Sequence, residues 1–242
     1  MRNYEPFAVS DPATLRAVLR PADVLLVEGN QRFSTAVKYL TQSTWSHAAL
    51  FVGNALGESH TDRETPTVIE ADLAHGVIAV PLSKFERFNT RICRPVALSD
   101  AECQSVVRFV IGRLGLAYDL KNVIDLARYL IPTPPVPAHW RRRMLALGSA
   151  DPTRAICSTL LAQAFQSVGY PILPHVEKTN EVHYETCTYT VGEILHIRHH
   201  SLFTPRDFDV SPYFQIVKPT IESGFDYRGL IWGDDAELVE PQ

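Results

Sequence analysis

Two separated stretches decide the fold: SHAALFVG at residues 46–53 and ICSTLL at residues 156–161. The first is a short apolar run closed by a glycine, which predicts a buried strand with His47 near its start. The second is strongly apolar and predicts a central helix with Cys157 in its opening turn. An imidazole on a strand that faces a thiol at the start of a helix is typical of an activated cysteine nucleophile.

The rest of the chain alternates short strands and helices. The predicted strands are 23–29, 47–52, 67–71, 76–80 and 89–94, and the predicted helices are 11–19, 33–40, one that begins after a capping Ser99, 120–130 and 157–168. The sequence therefore predicts an α+β fold in which a mostly antiparallel sheet packs against helices, including the Cys-bearing helix.

The predicted domain organisation has three parts. Residues 1–20 form an N-terminal extension with a helix, residues 21–218 form the main domain, and residues 219–242 form an acidic C-terminal tail. Four prolines within residues 131–138 exclude a continuous helix or central strand there. We therefore expect a Pro-rich insertion at about 131–153.

Charge and composition exclude several functional classes. The net charge of −4 over 242 residues gives no basic face for nucleic acid. The basic run at 141–143 predicts a solvated loop or helix start, with contact to an anionic surface as the alternative. No segment approaches the ~18 apolar residues of a membrane-spanning helix, and we expect no transmembrane segment.

The cysteines and the N-terminus bear on the compartment. The four cysteines show no CxxC spacing, and residues 1–10 have no uninterrupted apolar run typical of a signal peptide. Reduced thiols in a cytoplasmic protein are the expectation, with export by a signal-independent route as the alternative.

Each candidate catalytic residue has a functional and a structural interpretation. Unpaired backbone N–H groups at a helix start lower a thiol pKa and can stabilise an oxyanion, so Cys157 is a candidate nucleophile; otherwise it is a small buried apolar residue. His47, flanked by small residues, is a candidate general base, or a histidine satisfied by its surroundings. Glu70, on the next predicted strand, can hold the second imidazole nitrogen, or is an ordinary exposed carboxylate.

Several motifs together resemble the circularly permuted papain-like hydrolases of the YiiX/YaeF type, which belong with the NlpC-like and lecithin:retinol acyltransferase-like enzymes. The motifs are DVLL at 23–26, SHAALFVG at 46–53, VIEA at 68–71 followed by GV at 76–77 and PL at 81–82, AYD at 117–119, ICS at 156–158, and TPRDF at 204–208 followed by SP at 211–212. The order histidine, acid, cysteine is reversed relative to papain.

The resemblance implies roles for individual residues. Cys157 would be the nucleophile, His47 the general base and then acid, and Glu70 the orienting group, with a thioester acyl-enzyme as intermediate. Tyr118 is a candidate substrate-binding residue that would approach the site from its loop, but a buried structural tyrosine is the preferred interpretation.

The implied activity is that of a cysteine hydrolase, an amidase or peptidase acting on a peptidoglycan-like, peptide-like or acylated amine substrate, without a cofactor. A lipid-directed thioesterase or acyltransferase is one alternative, and a non-catalytic ligand-binding module on the same fold is another. The bond cleaved would be an amide, or an ester or thioester, in a small-molecule, lipid-amide or peptide-like substrate. The sequence leaves the oligomeric state open.

A histidine-rich segment provides a competing metal site. The residues are His183, Cys187, His196, His199 and His200. Their spacing fits neither a zinc-finger pair nor a His-Glu-x-x-His helix, so an exposed histidine-rich segment is the preferred interpretation and we expect no metal.

Overall fold

A six-stranded antiparallel sheet forms the centre of the computed structural model, which describes residues 12–30, 34, 38, 41–57, 64–65, 67–72, 75–117, 152–183 and 188–229. The strands along the chain are β1 (Val24–Val27), β2 (His47–Phe51), β3 (Val68–Asp72), β4 (Gly76–Val80), β5 (Thr90–Pro95), β6 (His175–His183), β7 (Thr188–His196) and β8 (Phe214–Val217). The sheet order is β4-β3-β2-β1-β5-β8, and β6 pairs with β7 in a separate hairpin. The five strands predicted in the first half of the chain are confirmed.

Five α-helices lie wholly within the described part of the chain. They are α1 (Pro12–Val18), α2 (Asp100–Ile111), α3 (Pro152–Gln166), α4 (Pro205–Asp209) and α5 (Pro219–Glu222), and short 3-10 helices span Leu82–Phe85, His200–Leu202 and Tyr227–Gly229. Ser99 caps α2 through a reciprocal capping box with Glu102, as the predicted helix start requires.

The sheet buries both faces, because apolar residues of β1 alternate between two clusters. Val24 and Leu26 join the core that contains residues of α2 and α3, whereas Leu25 and Val27 join the core of α1 and the 3-10 helix Leu82–Phe85. Successive side chains of a strand point to opposite faces, so a continuous apolar run is what a doubly covered strand needs.

Four aromatic rings join α3, α4 and β8 around Phe165. Its ring lies 5.2 Å from that of Phe214 in an edge-to-face arrangement and 6.2 Å from that of Phe208. Tyr170 packs edge-to-face on Phe214 with 5.6 Å between the centroids. These contacts hold α3 against the sheet, and α3 carries the candidate nucleophile.

The start of α3 corrects one prediction. The helix begins at Pro152, five residues before the predicted start at 157, so Cys157 lies in its second turn. Proline suits the first helical position, since its missing N–H has no partner there in any helix. The free N–H groups of this helix start therefore lie one turn before the thiol.

Other predictions fall on residues outside the described ranges. They are most of the helix predicted at 33–40, Tyr118, the helix at 120–130, most of the insertion at 131–153 with the basic run at 141–143, Cys187, and the ends of the chain at 1–11 and 230–242. The division at 20, 218 and 242 stays a prediction.

Candidate active site

The structure brings the imidazole of His47 and the thiol of Cys157 together. His47 is the first residue of β2, and Cys157 lies on α3, which packs across β2 and β3. The two side chains are hydrogen bonded to each other. Cys157 is 1% exposed, whereas the His47 side chain keeps 23% of its surface accessible, so the pair lies at the border of the core.

Glu70 holds the opposite side of the imidazole. Its Oε2 atom lies 2.8 Å from Nε2 of His47. In the β2–β3 register Ala49 faces Glu70, so His47, two residues earlier, is a diagonal neighbour on the same face. Such diagonal pairs are within reach of long side chains. Because Nε2 is engaged by the carboxylate, Nδ1 is the nitrogen left for the thiol.

Lys84 is a further member of this group. Its Nζ atom forms an ion pair with Oε1 of Glu70, the carboxylate oxygen that does not contact His47. The Glu70 side chain is 3% exposed and the Lys84 side chain 42% exposed. A buried carboxylate of this kind requires partners for both oxygens, and here each oxygen has one.

The electrostatic effects within this group are mutual. Burial lowers the pKa of His47, but its hydrogen bonds and charge interactions with Cys157 and Glu70 outweigh burial and raise it to about 10. Burial raises the pKa of the Cys157 thiol, but His47 and two local donors outweigh it and leave the pKa below its usual value. The site therefore favours a thiolate beside an imidazolium at neutral pH.

Glu70 remains ionised for the same reason. Burial raises the pKa of its carboxyl group, but the hydrogen bond and charge of His47, followed by those of Lys84, lower it below its usual range. The four groups then carry alternating charges, from the thiolate of Cys157 through His47 and Glu70 to the ammonium of Lys84.

The Cys157 thiol has two partners besides His47, a backbone N–H of β2 and the hydroxyl of the next residue in α3. The backbone N–H of Ala48, the residue after His47, hydrogen bonds to the sulfur. The hydroxyl of Ser158 lies 3.9 Å from it. The prediction that first-turn N–H groups of the Cys helix flank the thiol is wrong, because Cys157 lies in the second turn. Strand β2 thus supplies both an imidazole and an amide donor.

The residues just before His47 are anchored on both sides. Trp45 donates from Nε1 to Oδ2 of Asp209 at 3.0 Å, and Arg91 donates to Oδ1 of the same carboxylate at 2.6 Å. Ser46 accepts a hydrogen bond from the backbone N–H of Gly29 at 2.8 Å. Ser46 is therefore a structural partner of the β1 end.

Two other predicted features have different outcomes. Tyr118 lies outside the described ranges, so its predicted substrate contact stays a prediction. Of the histidine-rich segment, His199 is exposed and its ring lies 4.0 Å from that of His200. Over the described ranges, no three His, Cys, Asp or Glu side chains converge as metal ligands would.

Sequence reasoning missed Lys84, Trp45 and the Ala48 amide. Lys84 follows β4 in a turn, where a lysine is usually a solvated charge. Its only sequence signal is that β4 neighbours the strand of Glu70.

None of the helices in the described part of the chain is both long and apolar enough to cross a membrane.

Comparison with known proteins gives one family match and a similar solved structure. Residues 18–129 match the family described as permuted papain-like amidase enzyme, YaeF/YiiX, C92 family. The crystal structure of the metalloprotein yiiX from Escherichia coli O157:H7 is 14% identical, with 82% of this chain and 96% of that chain covered and a TM-score of 0.47. No curated protein matches the chain.

The family match confirms the predicted resemblance to permuted papain-like hydrolases of the YiiX/YaeF type. The six-stranded antiparallel sheet with its helices is the predicted α+β, permuted papain-like fold. The matched family is described as one of amidases, which are hydrolases. The matched range, residues 18–129, includes His47, Glu70 and Lys84, whereas Cys157 lies outside it.

Proposed function

We propose that this chain is a cysteine amidase in which Cys157 is the nucleophile, His47 the general base and acid, and Glu70 the orienting carboxylate. One observation carries the proposal. The imidazole of His47 contacts the thiol on one side and, through Nε2, the Glu70 carboxylate at 2.8 Å on the other. A nucleophile that contacts a base, which is in turn held by a third group, is the signature of covalent catalysis.

The proposed first half-reaction is acyl transfer to sulfur. The Cys157 thiolate attacks the carbonyl carbon of the amide and forms a C–S bond. His47, as the imidazolium, gives its proton to the leaving nitrogen as the C–N bond breaks. The products are a free amine and a thioester on Cys157, with His47 now neutral.

The second half-reaction restores the thiolate. Neutral His47 accepts a proton from water while the water oxygen attacks the thioester carbonyl. The C–S bond breaks, a carboxylic acid leaves, and the thiolate returns beside the imidazolium. The same chemistry with an amine or alcohol in place of water is acyl transfer, so the acceptor decides between hydrolase and acyltransferase.

The polarity of the site supports this cycle. Glu70 and Cys157 raise the pKa of His47 to about 10, and His47 lowers the pKa of the thiol. A resting thiolate–imidazolium pair therefore holds both the nucleophile and the proton that the leaving nitrogen needs. The proposed substrate class follows from the family resemblance: an amide of a peptide-like, peptidoglycan-like or acylated amine compound.

Alkylation by iodoacetamide tests the proposal. We would measure the labelling rate of each cysteine against pH by mass spectrometry, in the wild type and in His47→Ala. The internal controls are Cys93 and Cys103, whose pKa burial raises. We expect Cys157 to label fastest, with an apparent pKa well below the ~8.5 of a free thiol, and to slow in His47→Ala.

The opposite labelling result would contradict the proposal. If Cys157 labels no faster than Cys93 near neutral pH, or if the labelling rate of Cys157 is unchanged in His47→Ala, the proposed cysteine amidase function is wrong. A ligand-binding module on the same fold then becomes the better explanation. Fast labelling of Cys157 would justify a screen of amide and ester substrates.

A further inference from the structure

We propose that Lys84 is a positioning residue of this active site, which fixes the Glu70 carboxylate so that a single oxygen, Oε2, is left for His47. The inference rests on the proposed function and adds a fourth side chain to the three predicted from the sequence. The observation behind it is the division of the two carboxylate oxygens. Lys84 takes Oε1, and His47 lies 2.8 Å from Oε2.

The backbone around Lys84 is held firmly enough for this role. The 3-10 helix Leu82–Phe85 follows β4 directly, and Leu82 and Phe85 on either side of Lys84 are buried in the core. The N–H of Lys84 donates to the carbonyl of Pro81 at 3.2 Å. Two buried anchors thus fix the point from which the lysine side chain starts.

The register of β3 and β4 brings this point close to Glu70. Val68 pairs with Val80 and Glu70 with Ile78, so the chain leaves β4 beside the start of β3. A lysine four residues beyond Val80 can then reach back over the hairpin to the Glu70 carboxylate. The contact is a consequence of the hairpin register.

Charge gives the contact a chemical effect. The charged side chains that act on Glu70 are His47 from β2 and Lys84 from the 3-10 helix, and both oppose the neutral form of its carboxyl. Asp72, two residues further along β3, is paired with His75. Without Lys84, one buried carboxylate oxygen loses its partner, and the side chain can rotate away from the imidazole.

The test compares Lys84→Met with Lys84→Arg. Methionine keeps the chain length without the charge, and the half-exposed position tolerates both residues. The first readout is the titration of the Glu70 carboxyl carbon by NMR, made also in a Cys157→Ser background. We expect its midpoint to rise in Lys84→Met and to stay near the wild-type value in Lys84→Arg, because the cation lowers that pKa.

The second readout is turnover of an activated ester or amide. In metal sites, loss of an outer partner of a ligand typically costs on the order of ten- to a hundredfold, and we expect an effect of this order for the side chain that holds Glu70. We expect kcat/KM to fall by about tenfold in Lys84→Met and to recover within about threefold in Lys84→Arg. The matched control is Arg16→Met, which removes the exposed ion pair to Glu64 at 2.9 Å and should leave both readouts unchanged.

Each outcome decides the matter. An unmoved Glu70 titration in Lys84→Met, or an equal loss of turnover in the Met and Arg variants, overturns the positioning role. The Cys157→Ser background separates this result from the fate of the proposed function. Slow labelling of wild-type Cys157 would disprove the amidase alone, whereas the Glu70 titration tests the effect of Lys84 without any turnover.

Discussion

Trp45 and Asp209 are joined by a hydrogen bond of 3.0 Å that links the segment before β2 to helix α4, 164 residues later in the chain. Arg91 from β5 completes the group, with its guanidinium 4.9 Å from the Trp45 ring centroid and its Nη1 2.6 Å from Asp209. His47, the first residue of β2, lies two residues after Trp45. The group therefore helps to fix the start of the strand that carries His47.

Asp209→Ala should destabilise the protein because it removes the acceptor of the Trp45 indole and the partner of Arg91. A buried donor left without its acceptor costs about 1–3 kcal/mol. We expect a loss of this size in the free energy of unfolding, measured with urea. Trp45→Phe removes the indole donor but leaves the Arg91–Asp209 pair, so its loss isolates the first contact; identical stability of Asp209→Ala and wild type would contradict the anchor.

Cys157→Ala and His47→Ala should each abolish turnover, by on the order of a thousandfold or more, and the double variant should lose little beyond either single one. The reason is that, in the proposed mechanism, Cys157 and His47 act in the same step. Turnover of an activated ester gives the rates. Multiplicative losses in the double variant, or normal turnover in Cys157→Ala, would show that the two residues do not act as a unit.

Glu70→Gln should shift the alkaline limit of activity to lower pH. Glu70 contributes to raising the pKa of His47 to about 10, so the neutral amide lowers that pKa. The thiolate–imidazolium pair is lost as the pH rises through the folded pKa of His47, and the loss therefore comes earlier in the variant. The measurement is kcat/KM between pH 7 and 11, with the His47 ring titrated by NMR; superimposable alkaline limbs would argue against the contact.

Arg94→Met should cost more stability than the double variant Asp23→Asn with Arg94→Met. Asp23 is 1% exposed, and Arg94 donates to both of its oxygens, at 2.9 and 2.8 Å. A buried carboxylate without its cation costs about 3–5 kcal/mol, and asparagine removes the charge. Denaturant unfolding of the single and double variants gives the difference, and equal losses would mean that the charge is not the cause.

Gly76→Ala should destabilise the β3–β4 hairpin that carries Glu70. Gly76 has φ of 73°, and an added Cβ would lie 2.2 Å from the backbone oxygen of Leu116. The left-handed conformation alone costs an alanine about 1–3 kcal/mol. Gly57→Ala is the matched control, since its φ is 81° and nothing lies within 4 Å of the added atom.

The difference between the two glycine variants measures the clash. We expect Gly76→Ala to lower the melting temperature clearly more than Gly57→Ala, and to reduce turnover as well, because the hairpin register brings Lys84 to Glu70. Equal melting temperatures would mean that the segment at Leu116 shifts without cost.

The first half of the fold was predictable because its strands are apolar runs with clear ends. β2 ends two residues before Gly53, and β4 begins at Gly76, where a positive φ closes the hairpin. Once β2 and β3 were predicted as neighbours, the contact of His47 with Glu70 followed from antiparallel pairing. These strands depend on local sequence, and the hydrophobic pattern of a short stretch is enough to predict them.

The second half was less predictable. The β6–β7 hairpin was missed, because HVEKTNEVH in β6 carries polar residues on both alternating faces and gives no strand pattern. The sequence also predicts too late a start for α3, because Pro152 falls within the predicted Pro-rich insertion, whereas in the structure it is the first helical residue.

Lys84 depended on a different kind of information. Its contact with Glu70 is set by the register of Val68 with Val80, which no composition or periodicity reveals. A lysine between two buried apolar residues in a turn is indistinguishable from a solubilising charge until the hairpin is built.

The separation of His47 and Cys157 along the chain also bears on synthesis. His47, Glu70 and Lys84 all lie on β1 to β5 or their connections, within residues 24–95, whereas the thiol arrives only with α3. Domains emerge from the ribosome with their N-terminal part first. A nascent chain therefore carries His47 long before Cys157, and the Cys157 thiol gains its contact with His47 only when α3 packs on β2. Reactivity of Cys157 above that of an ordinary thiol would in this sense report that α3 has packed on β2.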